Sequence, residues 1–136
     1  MTTSASNKRL KYDLAEVNEE PDERCRVEVT FSFAERKIKA AGVAGSNDGG
    51  ALKAAALATL TAVEEAVENR FSCNLADIDH VNALGKDLIA VLVNIDFEGK
   101  QVQVFGSCQI AGNEIDAAVK AALNATNRFF ELSTRP

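Results

Sequence analysis

Val27-Glu28-Val29-Thr30-Phe31-Ser32-Phe33 alternates apolar and polar residues, and the alternation returns 64 positions later along Val91, Val93 and Phe97. Successive side chains of a strand point to opposite faces, so Val27, Val29, Phe31 and Phe33 turn towards a core while Glu28, Thr30 and Ser32 turn away. Ala34-Glu35-Arg36 then reverses the chain, and Ile38, Ala40 and Gly42 continue the alternation against Lys37, Lys39 and Ala41, which makes an antiparallel hairpin. Downstream, Ile89 to Phe97, the turn Glu98-Gly99-Lys100 and then Val102, Val104 and Gly106 repeat the design, with Gly106 at the same 64-residue interval from Gly42.

A weaker strand over residues 10–18 precedes the first hairpin, with Tyr12, Leu14 and Val17 among charges, and ends in the acidic turn Asn18-Glu19-Glu20-Pro21-Asp22-Glu23. Its counterpart over 75–84 ends at Gly85-Lys86-Asp87. Asp13, Val17 and Asn18 recur as Asp77, Val81 and Asn82, again 64 apart.

After each hairpin comes a helix. Ser46-Asn47-Asp48-Gly49-Gly50 supplies capping side chains and flexible glycine ahead of Leu52, Ala56, Thr59, Leu60, Val63 and Val67, spaced by three and four. Every member of that stripe has a mate 63 positions on, at Ile115, Val119, Ala122, Leu123, Thr126 and Phe130. The expected fold is therefore α+β: two βββα repeats, an antiparallel sheet with two long helices packed on one face. Residues 1–9 read as a frayed tail, and 10–136 as one domain of two units, about 10–72 and 73–132. Ala54, Ala55, Ala58, Ala62 and Ala66, with Ala117, Ala118, Ala121 and Ala125, are placed on exposed or half-exposed helix sides. There they serve either close packing of the two helices or the approach of a partner subunit or small ligand.

Among 136 residues, 46% are hydrophobic and the net charge is −5, so the chain can bury a core and carries no basic field for nucleic acid. Cys25, Cys73 and Cys108 lie far apart without metal-ligand spacing, which suits a reduced cytoplasm and implies neither metal nor cofactor. No signal peptide or membrane span is read.

Candidate chemistry centres on the two loops that open the helices. Gly42, Gly45, Ser46, Asn47 and Asp48 in the first, and Gly106, Ser107 and Asn113 in the second, stand where unpaired amides and a partial positive charge favour a carboxylate. Asn47 or Asp48 as a simple cap is the competing explanation. The second loop is less acidic and is favoured if only one binds an anion. His80 is expected to face solvent on its strand, and Cys108 is the thiol best placed for reactivity, with a small buried core residue as the alternative. Asp13 and Asp77, as repeat equivalents, could be brought together. No nucleophile, base and orienting group can be assembled from spacing, so no enzyme is expected.

The segment Gly42 to Ala51 opening the first helix and Ala121 to Arg128 in the second, set in two βββα units, resemble the C-terminal regulatory (dimerisation) domain of 2-isopropylmalate synthase. The likeness covers about residues 10–130. It implies a homodimeric, non-catalytic module that binds a small carboxylated metabolite such as an amino acid at an interface between units, here without the synthase's catalytic barrel. Two alternatives stand beside it. One is a dimerisation or protein-docking adaptor without a small ligand. The other is a double-stranded RNA-binding-like module, to which 27–67 is similar in order, but with Asn47, Asp48, Gly49 and Gly50 where phosphate-gripping lysines would be needed and only Lys53 downstream.

Overall fold

The structure, a computed structural model, describes residues 10–45, 47 and 49–134. Its elements run β1 (Lys11–Glu20), β2 (Arg24–Phe33), β3 (Arg36–Gly45), α1 (Gly50–Ala66), β4 (Phe71–Ala83), β5 (Lys86–Phe97), β6 (Lys100–Gln109) and α2 (Glu114–Thr134). Three of the four hairpins close through two residues that both have positive φ: Ala34 and Glu35 at 50° and 66°, Leu84 and Gly85 at 55° and 77°, Glu98 and Gly99 at 53° and 79°. That backbone twist matches the twist of paired strands, so the register is set locally. The chain is an α+β fold of two βββα units. Its six strands form two three-stranded antiparallel sheets, β1-β2-β3 and β4-β5-β6, each with its own helix on its inner face, and no ladder joins them among the described residues.

The inner faces are built as the alternation implies. Val27, Val29, Phe31 and Ile38 in the first sheet, and Ile89, Val91, Val93 and Ile95 in the second, are at most 1% exposed. Each helix lies unusually close to its sheet at one glycine. A Cβ on Gly42 would overlap the backbone oxygen of Ala54 and crowd the Ala58 amide; on Gly106 it would overlap Ala121 oxygen and the Ala125 amide. The alanines placed on exposed helix sides are in fact buried, Ala54, Ala55, Ala58 and Ala62 at 0% exposure and Ala117, Ala118 and Ala121 at no more than 2%. Small side chains let each helix be covered on several sides, by its own sheet, by the other helix and by the first strand of the other unit. Only a narrow stripe on α1, including Lys53, Thr61 and Glu65, stays exposed.

The interval of 64 holds for β2, β3 and their partners but fails in the first strands. Val27 pairs with Val17 and Gly42, whereas Val91 pairs with Ile78 and Gly106, and Val81 pairs with Leu88. Val17 therefore shares the inner face with Val27, while Val81 lies on the outer face. The first β1–β2 hairpin has a three-residue turn, Pro21, Asp22 and Glu23, against two residues in the second, and the bulges fall at different places, beside Asp13 and beside Ala76. Asp13 and Asp77 are consequently not equivalent and stand on the outer faces of different sheets.

The helices lie side by side in parallel. Their starts share one depression, and at the other end the Arg70 guanidinium, past α1, donates to the backbone oxygen of Ser133 in the last turn of α2. First strands cross to the opposite unit. Tyr12 of β1 donates to Asp116 of α2 at 2.5 Å, and the Cys73 amide of β4 donates to Glu64 of α1 at 2.9 Å. Phe33 meets Phe130 edge-on, ring centres 5.2 Å apart, and adds an apolar link between units.

Candidate functional site

Each β strand that lies third in its unit runs directly into a helix start, and the parallel packing brings the two starts together. Between them is a depression of about 380 Å³, with Asn47, Gly49, Gly50, Ala51 and Leu52 from the first unit and Asn113, Glu114 and Ile115 from the second. Glu19 and Cys25, paired across β1 and β2, complete the lining. The first turn is tight: the Gly50 amide donates to Asn47 oxygen at 2.9 Å, Gly49 sits at φ 80°, and any Cβ on Gly50 would overlap Gly45 oxygen. Only glycine is compatible with that approach.

The two starts differ electrically. Asn113 Oδ1 accepts from the amides of Ile115 at 2.7 Å and Asp116 at 3.3 Å, so the cap explanation holds for that residue, and Glu114 and Asp116 add charge to the same turn. At α1 no acid lies in the first turn, and among the described residues no side chain caps its amides. Within the first turns themselves the acids fall on α2 and not on α1, which the composition of the loops alone does not show, while Asp48 ahead of α1 lies outside the described residues. Glu19 and Glu114 supply negative charge at the rim. Burial, and then Glu19, push the Cys25 thiol above its ordinary range, so it is held as a neutral wall.

Of the expected site residues, Asn47 and Asn113 meet in this depression, with Gly45 directly behind Gly50. Gly42 and Gly106 do not line it; they are buried beneath α1 and α2. Ser107 lies elsewhere, its amide donating to Asn124 Oδ1 at 3.1 Å beside a second groove that includes Cys108, Lys120 and Asn127. Ser46 and Asp48 lie outside the described residues. Leu52 and Ile115 were readable as repeat mates, but their convergence with Glu19 and Cys25, two strands away, left no local signal.

The remaining candidates stand apart from this depression. His80 is exposed with Nε2 3.6 Å from Asp87 Oδ1. Cys108 is half-buried within β6 rather than in a loop. Asp13 accepts from Ser32 Oγ at 2.5 Å and Lys37 Nζ at 3.0 Å, and these bonds, Ser32 first, hold its carboxyl below the usual range. Lys37 and Lys39 project from the outer face of the first sheet, away from the helix starts. Among the described residues no three His, Cys, Asp or Glu side chains gather as a metal cluster, and no helix is long and apolar enough to cross a membrane.

The outer face of the second sheet holds a different concavity, about 460 Å³, where Val81, Leu88, Ala90, Leu92 and Phe105 form an apolar floor beside Asp77 and Asp79. Phe105 is 67% exposed. The matching positions of the first sheet carry Arg24, Arg26, Glu28 and Ala41.

No family model matches this chain, and no curated protein matches it.

Proposed function

We propose that this chain is a non-catalytic regulatory module that binds a small carboxylated metabolite of amino-acid type and works as a homodimer. The convergence of both helix starts on one depression carries the reading. A ligand carboxylate accepts from the first amides of α1, its ammonium group faces Glu19 and Glu114, and its side chain rests on Leu52 and Ile115. The resemblance to the synthase regulatory domain supports the same assignment. A ligand present at about 100 times its Kd stabilises the folded state by about 2.7 kcal/mol, which a thermal melt reads as a shift of several degrees.

The test is a melting series with amino acids and the corresponding 2-oxo acids. Amino acids should raise Tm and 2-oxo acids, lacking the ammonium group, should do so less; the Glu19→Gln, Glu114→Gln double variant should erase the difference. No shift with any amino acid at millimolar concentration removes the ligand reading. A docking adaptor remains the second reading, favoured by the apolar outer face of the second sheet.

A further inference from the structure

We infer that the outer face of β4-β5-β6 docks another protein through a cationic amphipathic helix, whose apolar stripe rests on Leu88, Leu92 and Phe105 and whose lysines or arginines meet Asp77 and Asp79. This goes beyond the ligand reading and does not depend on it, since the face shares no lining residue with the depression at the helix starts.

Charge is balanced differently on the two outer faces. On the first sheet Asp13 takes Lys37 at 3.0 Å, and Glu28 stands 3.9 Å from Arg26. On the second, Asp77 and Asp79 are exposed, and one oxygen of each accepts from the backbone amide that follows it, Ile78 at 2.8 Å and His80 at 2.9 Å. Among the described residues neither carboxylate has a cation within ion-pair distance, and no Lys or Arg lines the concavity they border. Two unanswered carboxylates beside an apolar floor are complementary to a partner that brings apolar side chains and positive charge together. The same face of a second copy brings the same aspartates, and nucleic acid or an anionic bilayer brings phosphate, so each meets like charge.

The dimensions suit a helix. Leu88, Ala90 and Leu92 follow one another along β5 over about 14 Å, with the small Ala90 between the two leucines, and the hollow measures about 460 Å³. Apolar residues at i, i+4 and i+7 of a helix span about 10 Å and settle within that length. Asp77 and Asp79 lie on the β4 side about 7 Å apart, which nearly matches the ~6 Å between helix residues four apart. Phe105, 67% exposed, walls the β6 side. A helix also satisfies its own backbone, whereas an extended segment laid flat on this face would leave amides unpaired over an apolar floor.

The experiment follows the fluorescence anisotropy of a labelled helical peptide of about 15 residues, with a leucine stripe, lysines four apart along its flank and alanine elsewhere. The whole chain should bind it with a micromolar Kd. Asp77→Asn with Asp79→Asn should raise Kd about 10-fold, and Leu92→Ser with Phe105→Ser about 30-fold, the circular dichroism unchanged in both. Removing as many acids from the first sheet, by Glu16→Gln with Glu28→Gln, should leave Kd within about twofold. Equal weakening by that first-sheet pair means attraction by net charge alone and overturns the proposal. Binding that survives Leu92→Ser with Phe105→Ser, or no binding at about 100 μM, does the same. Two other occupants have their own signatures. A wild-type oligomer that Leu92→Ser dissociates puts a second copy on the face. A Kd lowered about 10-fold by deleting residues 1–9, which include Lys8 and Arg9, puts the chain's own amino-terminal segment there. Either result overturns the proposal, and the melting series on amino acids still decides the ligand site independently.

Discussion

The two units share their inner faces and part company on their outer ones. Inside, Val27 pairs with Gly42 and Val91 with Gly106, and both glycines press against helix backbone, Gly42 at Ala54 and Ala58 and Gly106 one turn farther along its helix, at Ala121 and Ala125. Outside, Arg26 and Glu28 stand where the second unit has Ala90 and Leu92. Packing of a helix against a sheet tolerates little variation at its closest point, because no side chain can yield there. The opposite faces carry no such constraint, and they differ: one is charged and the other largely apolar beside its aspartates.

The most severe way to break the equivalence is at the glycines. Gly42→Ala and Gly106→Ala should each lower stability by about 3 kcal/mol in urea unfolding, because the added methyl meets helix backbone rather than a side chain that can move. Tolerance of one and not the other would show that the inner faces are less alike than their registers. The outer faces should behave in the opposite manner. Phe105→Ala is expected to change the stability of the monomer by no more than about 0.5 kcal/mol, as for an exposed site, while Phe31→Ala on the inner face costs about 3–5 kcal/mol.

First strands sharpen the comparison further. Tyr12→Phe removes the bond to Asp116 and leaves that acceptor half-buried, at a cost of about 1 kcal/mol. The Tyr12 hydroxyl is pushed upward by burial and then by Asp116, and burial followed by Glu64 pushes the Cys73 thiol up to about 12. Raised acids keep their protons in the folded state after the unfolded chain has released them, near pH ~8.5 for a thiol. Stability is therefore full below that pH and falls as pH climbs from about 9 towards 12. Urea midpoints at pH 7, 9 and 10.5 measure it; a flat series would mean that these groups are open to water. The smallest effect belongs to the hairpin turns: Glu35→Gly, which gives the first unit the glycine that Gly99 supplies in the second, should add about 0.5–1 kcal/mol.

The βββα plan was legible because alternation and the three-four helical stripe depend on local periodicity, and both units carry them from β2 through the helix. The first strands misled. Asp13, Val17 and Asn18 match Asp77, Val81 and Asn82 in sequence, yet a turn one residue longer and a displaced bulge put Val17 and Val81 on opposite faces. Alanine gave no guidance about exposure, since a methyl group suits a covered helix side as well as a wet one. Helix starts were visible as glycine and asparagine clusters. Their meeting in one depression was not, since it depends on the parallel packing of elements 63 residues apart, and Glu19 and Cys25 reach it from a separate hairpin.

The crossing of first strands onto the opposite helix has a consequence during synthesis. Tyr12 and Phe33 find Asp116 and Phe130 only on α2, which leaves the ribosome after all six strands described. The first βββα unit consequently emerges with aromatic surface uncovered and must wait for α2 to complete its own core. Such a nascent chain is a natural client for chaperones, and truncation of α2 should send the preceding hairpins into aggregates rather than into a smaller folded domain.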